Sequence, residues 1–167
     1  LQISLLKNII GVIGFIGFLA VQGNEFPVFT HHELWIMVIS GIFGVAVGDL
    51  FFLGSLRRLG AGLNAIVSTT YSPAIFLLAF FMFGEVISLQ AYCGGVLVIA
   101  GIIIGTLEIP KNRSRGYISR GVFYGFAAQV LTAFSVLLLK PIMEIHPVVP
   151  IALVRFSTGA VLSIGFL

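Results

Sequence analysis

The apolar segment Ala61–Gly84 contains a proline near its middle and a row of amide and hydroxyl side chains. Proline has no N–H and its ring displaces the carbonyl of residue i−4, so Pro73 predicts an unpaired carbonyl at Thr69. Four polar side chains fall within about 100° of one another on this helix: Asn64, Ser68, Tyr71 and Ser72. The stripe indicates either a solute-binding cavity beside a kinked helix, or hydroxyls bonded to their own i−4 carbonyls together with helix–helix contacts.

Charged residues inside apolar segments are the second group of candidates. Asp49 lies well within such a segment, where a carboxylate costs about 2.5–3.5 kcal/mol on membrane-insertion scales. It faces a partner, a wet cavity or a proton-relay path, or else it lies among headgroups beside Arg57. Arg155 and Lys7 lie within a turn or two of helix ends, where each either attracts an anionic solute or extends to the interface.

Other residues and motifs are weaker candidates for a binding, metal or catalytic site. Gln129 lies with Thr132 and Ser135 on one side of a later apolar segment and is a further cavity candidate. The His31–Glu33 run lacks HExxH spacing, and adjacent side chains on a helix point about 100° apart, so no metal site is predicted. GxSxG, GxxxxGK[ST] and GxGxxG motifs are absent, so we expect no enzyme, no cofactor and no ATP-driven pump.

Six apolar stretches position these residues: Leu1–Val21, Trp35–Leu56, Ala61–Gly84, Ile87–Leu107, Gly121–Leu139 and Val148–Leu167. Roughly 20 helical residues span the hydrocarbon core of a bilayer. With 59% hydrophobic and 9% charged residues, no soluble interior could bury six such helices. The sequence predicts an all-α polytopic membrane protein with six transmembrane helices, integral to a plasma or inner membrane.

The net charge of +3 comes from basic residues in short connections, which orient a membrane protein and do not form a nucleic-acid-binding surface. By charge alone, the loop Glu108–Arg120 and the turn Arg57–Arg58 are cytoplasmic and Gln22–Leu34 is outside. Small residues at helical spacing are expected to pack backbones closely: Gly41, Gly44, Gly48, Gly94, Gly101 and Gly105. The lone Cys93 is expected to be a small packing residue.

An internal repeat relates two of the stretches. Leu5–Leu19 aligns without a gap to Leu153–Leu167, at an offset of 148 positions. The alignment superposes Gly11 on Gly159 and Lys7 on Arg155. Because the chain crosses the membrane an odd number of times between them, the two copies have opposite orientation, as in the inverted repeats of secondary transporters.

The stretch Gly48–Leu107 resembles the third to fifth helices of an EamA-type repeat of the drug/metabolite transporter superfamily. The resemblance rests on the helix ending at Arg57–Arg58, the Ser/Thr run into Pro73, the Phe83–Glu85 turn and the glycine-rich Gly94–Gly105 helix. It implies a fragment of a ten-helix inverted-repeat transporter. Residues 1–107 would be a first repeat lacking its first helix, 108–120 the inter-repeat loop, and 121–167 the first two helices of the second repeat.

The resemblance implies a secondary transporter, an exporter of small metabolites or drugs, working by alternating access. The implied partners are a small-molecule substrate and the lipid bilayer, with proton coupling through Asp49 as one use of that carboxylate; the oligomeric state stays open. Alternatives are a nucleotide-sugar or lipid-carrier transporter on the same fold, or a non-transporting scaffold. The resemblance also implies the membrane orientation opposite to the one the charges indicate. The candidate substrate-binding residues are Asp49, Asn64, Ser68, Thr69, Tyr71, Pro73, Gln129 and Arg155.

Overall fold

The computed structural model describes residues 2–23, 26–86, 88–107 and 115–165. Their helices, in chain order, are α1 (Gln2–Gln22), α2 (His31–Ser40), a π-helical segment (Gly41–Val47), α3 (Gly48–Leu59), α4 (Ala61–Ser68), α5 (Tyr71–Phe83), α6 (Leu89–Leu107), α7 (Arg115–Leu137), α8 (Lys140–Met143) and α9 (Val148–Gly165). Within the described residues, five spans are long and apolar enough to cross a bilayer: Ile3–Val21, His31–Leu59, Ala61–Phe83, Gly116–Leu137 and Val148–Gly165. Leu89–Gly105 is a shorter apolar helix. The protein is therefore an all-helical, multi-pass integral membrane protein, as predicted.

Local signals set several helix ends more precisely than hydropathy does. The second span begins at His31 and not at Trp35, because Thr30 and Glu33 form a capping box in which the Thr30 N–H donates to Oε2 of Glu33 at 2.7 Å. Gly60, with φ +79°, separates α3 from α4, and Gly84, with φ +67°, ends α5 in the left-handed conformation that glycine adopts without strain.

The expected start of the fifth span differs as well. The helix α7 begins at Arg115, so residues 115–120 of the predicted inter-repeat loop are its first turns. Arginine is a good helix former, and an apolar pattern does not detect a polar turn at the interface. The rest of that loop, residues 108–114, lies outside the described residues, as do Ile87 and the last two residues of the sixth predicted stretch.

The helix α7 lies at the centre of the packing and contacts α3, α4, α5 and the π-helical segment. The helix α1 packs against α9, which also packs against the π-helical segment, and α6 lies against α4 and α5. One end of the bundle carries Arg57, Arg58 and Arg120; at the other, Nε2 of His146 lies 3.3 Å from Oε1 of Glu33. These arrangements bring α1, α3 and α7 together around the cavity described next.

Candidate functional site

A cavity of about 330 Å³ opens between α1, α3 and α7. Its polar lining consists of Ser4, Lys7, Asp49, Gln129 and Thr132. The rest of the wall is mainly apolar and includes Ile3, Phe52, Leu53 and Leu56. A mostly apolar cavity with a few convergent polar groups is the usual form of a small-molecule site.

The carboxylate of Asp49 is held by two groups from α1. Nζ of Lys7 donates to Oδ1 at 2.8 Å and to Oδ2 at 2.6 Å, and the Ser4 hydroxyl donates to Oδ2 at 2.6 Å. The Asp49 side chain is 17% exposed, whereas that of Lys7 is 51% exposed. The pair therefore lies on the cavity wall, with the carboxylate on the inner side. Of the surroundings expected for Asp49, the structure shows a partner, the Lys7 ammonium group of α1.

Two features of α3 and α7 complete the cavity. Gly48, one residue before Asp49, lies against α7, where an added Cβ would be 3.2 Å from Oγ1 of Thr132. Thr132 lines the cavity, and its hydroxyl donates to the carbonyl of Ala128 at 2.8 Å. The structure thus brings Asp49 and Gln129, two of the predicted site residues, to one cavity.

Arg155 lies in a second polar cluster, on α9. Its Nη2 donates to Oγ of Ser135 at 3.0 Å, while its Nε is buried and has no hydrogen-bond partner among the described residues. Gly44 makes room for this contact, since a Cβ there would lie 3.0 Å from Nη2. Tyr71 is close enough to interact electrostatically with the guanidinium.

The remaining predicted residues lie around the junction of α4 and α5. Asn64 is buried and Thr69 is exposed, while Ser68 is half-buried and its hydroxyl donates to the carbonyl of Asn64 at 2.8 Å. That bond is the i−4 alternative considered for the stripe. These residues do not line the cavity between α1, α3 and α7.

The proline effect is smaller than the sequence indicates. The helix is interrupted at Thr69–Thr70, and Pro73 is the third residue of α5. The Thr69 carbonyl, expected to be unpaired, accepts from the N–H of Ser72 at 3.3 Å. A tighter i→i+3 bond at the interruption replaces the i→i+4 bond that proline removes. Both threonine hydroxyls also bond to carbonyls three residues earlier, which stabilises the turn.

The expected glycine contacts are present at four of the six positions and absent among the described residues at the other two. A Cβ added at Gly41 would contact α9, and one added at Gly44 or Gly48 would contact α7. A Cβ added at Gly105 would lie 3.0 Å from Cδ1 of Ile66. At Gly94 and Gly101 an added Cβ would meet no described atom within 4 Å, because the face of α6 that packs carries Gly95 and Gly105. Cys93, expected to be a packing residue, is exposed on the same helix among the residues that the structure describes.

Sequence reasoning missed three residues on α1. Ser4 bonds to Asp49, and Asn8 is fully buried with neither amide atom hydrogen-bonded to a described residue. Lys7 was expected to attract an anionic solute or to extend to the membrane interface, and its ion pair with Asp49 was not predicted. The spacing of Ser4, Asn8 and Gly11, at i, i+4 and i+7, marks one helix face and could have indicated it.

The model of the EamA-like transporter family matches residues 1–107. The chain belongs to the EamA-like transporter family. An archaeal relative from Archaeoglobus fulgidus, named an uncharacterized transporter, is 29% identical over 140 residues, which are 83% of this chain and 49% of the relative. The chain therefore spans about half the length of this curated relative. No solved structure matches the chain.

In this EamA-like chain, α1 and α9 cross with reciprocal contacts. A Cβ added at Gly11 would lie 2.8 Å from Cδ1 of Phe156, and one added at Gly159 would lie 3.1 Å from Nδ2 of Asn8. The offset of 148 positions carries Asn8 onto Phe156 and Gly11 onto Gly159, so each contact is the image of the other. A two-fold axis relating the two helices would produce this pattern, in which residue i contacts j and j contacts i.

Proposed function

We propose that the protein exports small metabolites or drugs as a secondary transporter, by alternating access between two inverted repeats and without ATP. The family and the name of the archaeal relative support transport, and the reciprocal α1–α9 contacts support the repeat plan. In this scheme the cavity between α1, α3 and α7 holds the solute. Its volume of about 330 Å³ is near the lower end of the range for small-molecule sites, which favours a small solute.

One observation carries the proposal, namely the ion pair between Lys7 and Asp49 on the cavity wall. An ionisable pair inside a span is costly to insert, and such residues mark solute or ion pathways. Protonation of Asp49 removes one charge and weakens the hold on Lys7, so the cavity has two states that differ by one proton. Asp49 then couples transport to a proton gradient, while Gln129 contributes an amide to solute binding.

The helix interruption has a part in the same scheme. With α4 and α5 joined through the turn at Thr69–Thr70, either half can tilt without breaking regular hydrogen bonds in the other. We assign Asn64, Ser68, Thr69, Tyr71 and Pro73 to this moving wall of the route.

The test uses membrane vesicles from cells that produce the full-length protein. The vesicles are incubated with a cell metabolite extract under an imposed pH gradient, and their contents are compared by mass spectrometry with vesicles that lack the protein. We expect at least one solute to accumulate with the native protein and to lose its response to the gradient in Asp49→Asn. Glu144→Gln, an exposed carboxylate outside the cavity, is the matched control and should behave as native. Identical contents with and without the protein would contradict transport, and a normal gradient response in Asp49→Asn would contradict the coupling role.

A further inference from the structure

The two cations related by the internal repeat, Lys7 and Arg155, differ in whether a carboxylate pairs with them. Lys7 donates to both carboxylate oxygens of Asp49, whereas no carboxylate in the described part of the chain lies within ion-pair distance of Arg155. The only hydrogen bond of the guanidinium to these residues is the one to Ser135, and Nε is buried without a partner. An unpaired polar group in such a place is costly, so Arg155 is suited to a ligand that supplies the missing negative charge.

The position of Arg155 corresponds to that of Lys7 on the other side of the helix crossing. The crossing lies between residues 8 and 11 of α1 and between residues 156 and 159 of α9. Each cation is two to three residues before the crossing on its own helix, or about 4 Å at 1.5 Å per residue. Because α1 and α9 run in opposite directions, Lys7 and Arg155 lie on opposite sides of the crossing along the membrane normal.

The helix α7 connects the surroundings of the two cations. Thr132 lines the cavity of Lys7, and Ser135, three residues later on the same face, holds Arg155. Gly44 and Gly48 lie one turn apart on the segment that faces α7. The missing side chain at Gly44 leaves room for Ser135, and that at Gly48 leaves room for Thr132. One hydroxyl-bearing residue of α7 therefore lies beside each of the two cations.

We propose that Arg155 is a second binding station, separate from the Lys7–Asp49 cavity, which takes the carboxylate group of the transported solute. The inference rests on the proposed function and names the chemical class of its substrate. Nε and Nη2 carry parallel N–H groups, the geometry that a carboxylate accepts in a bidentate pair, and Nη2 would serve both the carboxylate and Ser135. One guanidinium neutralises one charge, so a carboxylate fits this apolar surrounding better than a dianionic phosphate.

The experiment measures binding of benzoate to the full-length protein in detergent by isothermal titration calorimetry, with uncharged benzamide as the probe of equal shape. We expect benzoate and not benzamide to bind the native protein. Arg155→Gln should weaken benzoate binding about 10- to 100-fold, the range for losing hydrogen bonds to a charged group. Arg155→Lys, which keeps the charge and loses the paired N–H groups, should give a smaller loss. Arg120→Gln, an exposed arginine on α7, is the control and should bind as native.

Each other outcome has a definite meaning. If Arg155→Gln does not fold, the benzoate affinity of Arg155→Lys is the test. Native benzoate affinity in Arg155→Lys would overturn the inference. Loss of binding in Lys7→Gln with none in Arg155→Gln would place the carboxylate in the first cavity and also overturn it. Failure of the native protein to bind benzoate would overturn the proposal of a second binding station. This outcome is also expected if another part of the full-length protein pairs with Arg155. The vesicle test of Asp49→Asn is unaffected by these results, so failure of the inference and failure of the proposed function are distinguishable.

Discussion

Nζ of Lys7 lies 2.6 Å from Oδ2 and 2.8 Å from Oδ1 of Asp49, although 42 positions separate the two residues along the chain. The pair connects α1 to α3, and the Ser4 hydroxyl adds a third hydrogen bond to the same carboxylate. Since hydrocarbon solvates neither charge, each residue depends on the other for its place in the span.

We expect Lys7→Met to destabilise the protein by about 1–3 kcal/mol, between the values typical of exposed and of buried pairs, because it leaves the Asp49 carboxylate without its cation. The double variant Lys7→Met/Asp49→Leu should be more stable than Lys7→Met alone, since both charges are then removed. Unfolding midpoints of detergent-purified protein measure the effect. A double variant as unstable as the sum of the single ones would show that the two residues act independently.

Glycine substitutions should separate the packed from the unpacked helix faces. In Gly44→Ala the new Cβ would lie 2.7 Å from Cβ of Ser135 and 3.0 Å from Nη2 of Arg155, and overpacking of this kind costs about 1–3 kcal/mol. Gly101→Ala has no described atom within 4 Å of its Cβ and should keep the native yield of monodisperse protein. Size-exclusion profiles of the two variants make the comparison. Equal losses in both would mean that the face of α6 carrying Gly101 is also packed in the full-length protein.

Pro73→Ala should permit insertion and folding but slow transport. The alanine N–H can bond to the Thr69 carbonyl, which now accepts from Ser72, and this extends regular helix across the interruption. Cys93→Ala is the control, since Cys93 is exposed on α6, the helix that contacts Pro73 through Gly95. Solute accumulation in vesicles, corrected for the amount of protein inserted, gives the rate. Native transport by Pro73→Ala would remove the α4–α5 junction from the proposed mechanism.

The sequence by itself determined the class of this protein and much of its organisation. Apolar stretches of bilayer length are a local property, so composition and hydropathy were enough to predict the membrane spans. The order of motifs from Gly48 to Leu107 indicated the EamA-type family, which the family model confirms over residues 1–107. The repeat offset of 148 positions was also visible in the sequence, and it matches the reciprocal contacts of Gly11 and Gly159.

Only the tertiary structure decided which polar groups meet. The partner of Asp49 depends on the rotation and tilt of α1 against α3, and hydropathy carries no information on either, so Lys7 and Arg57 could not be told apart as neighbours. The same reason explains why Gly101 was expected to pack and has no neighbour among the described residues, since the packed face of α6 depends on where α4 and α5 lie. The helix is interrupted at Thr69–Thr70 and not at Pro73, where the sequence predicts the break. The hydroxyls of the two threonines and the N–H of Ser72 donate to the carbonyls of this turn. Separations along one helix follow from its period, whereas contacts between helices follow from how all of them pack.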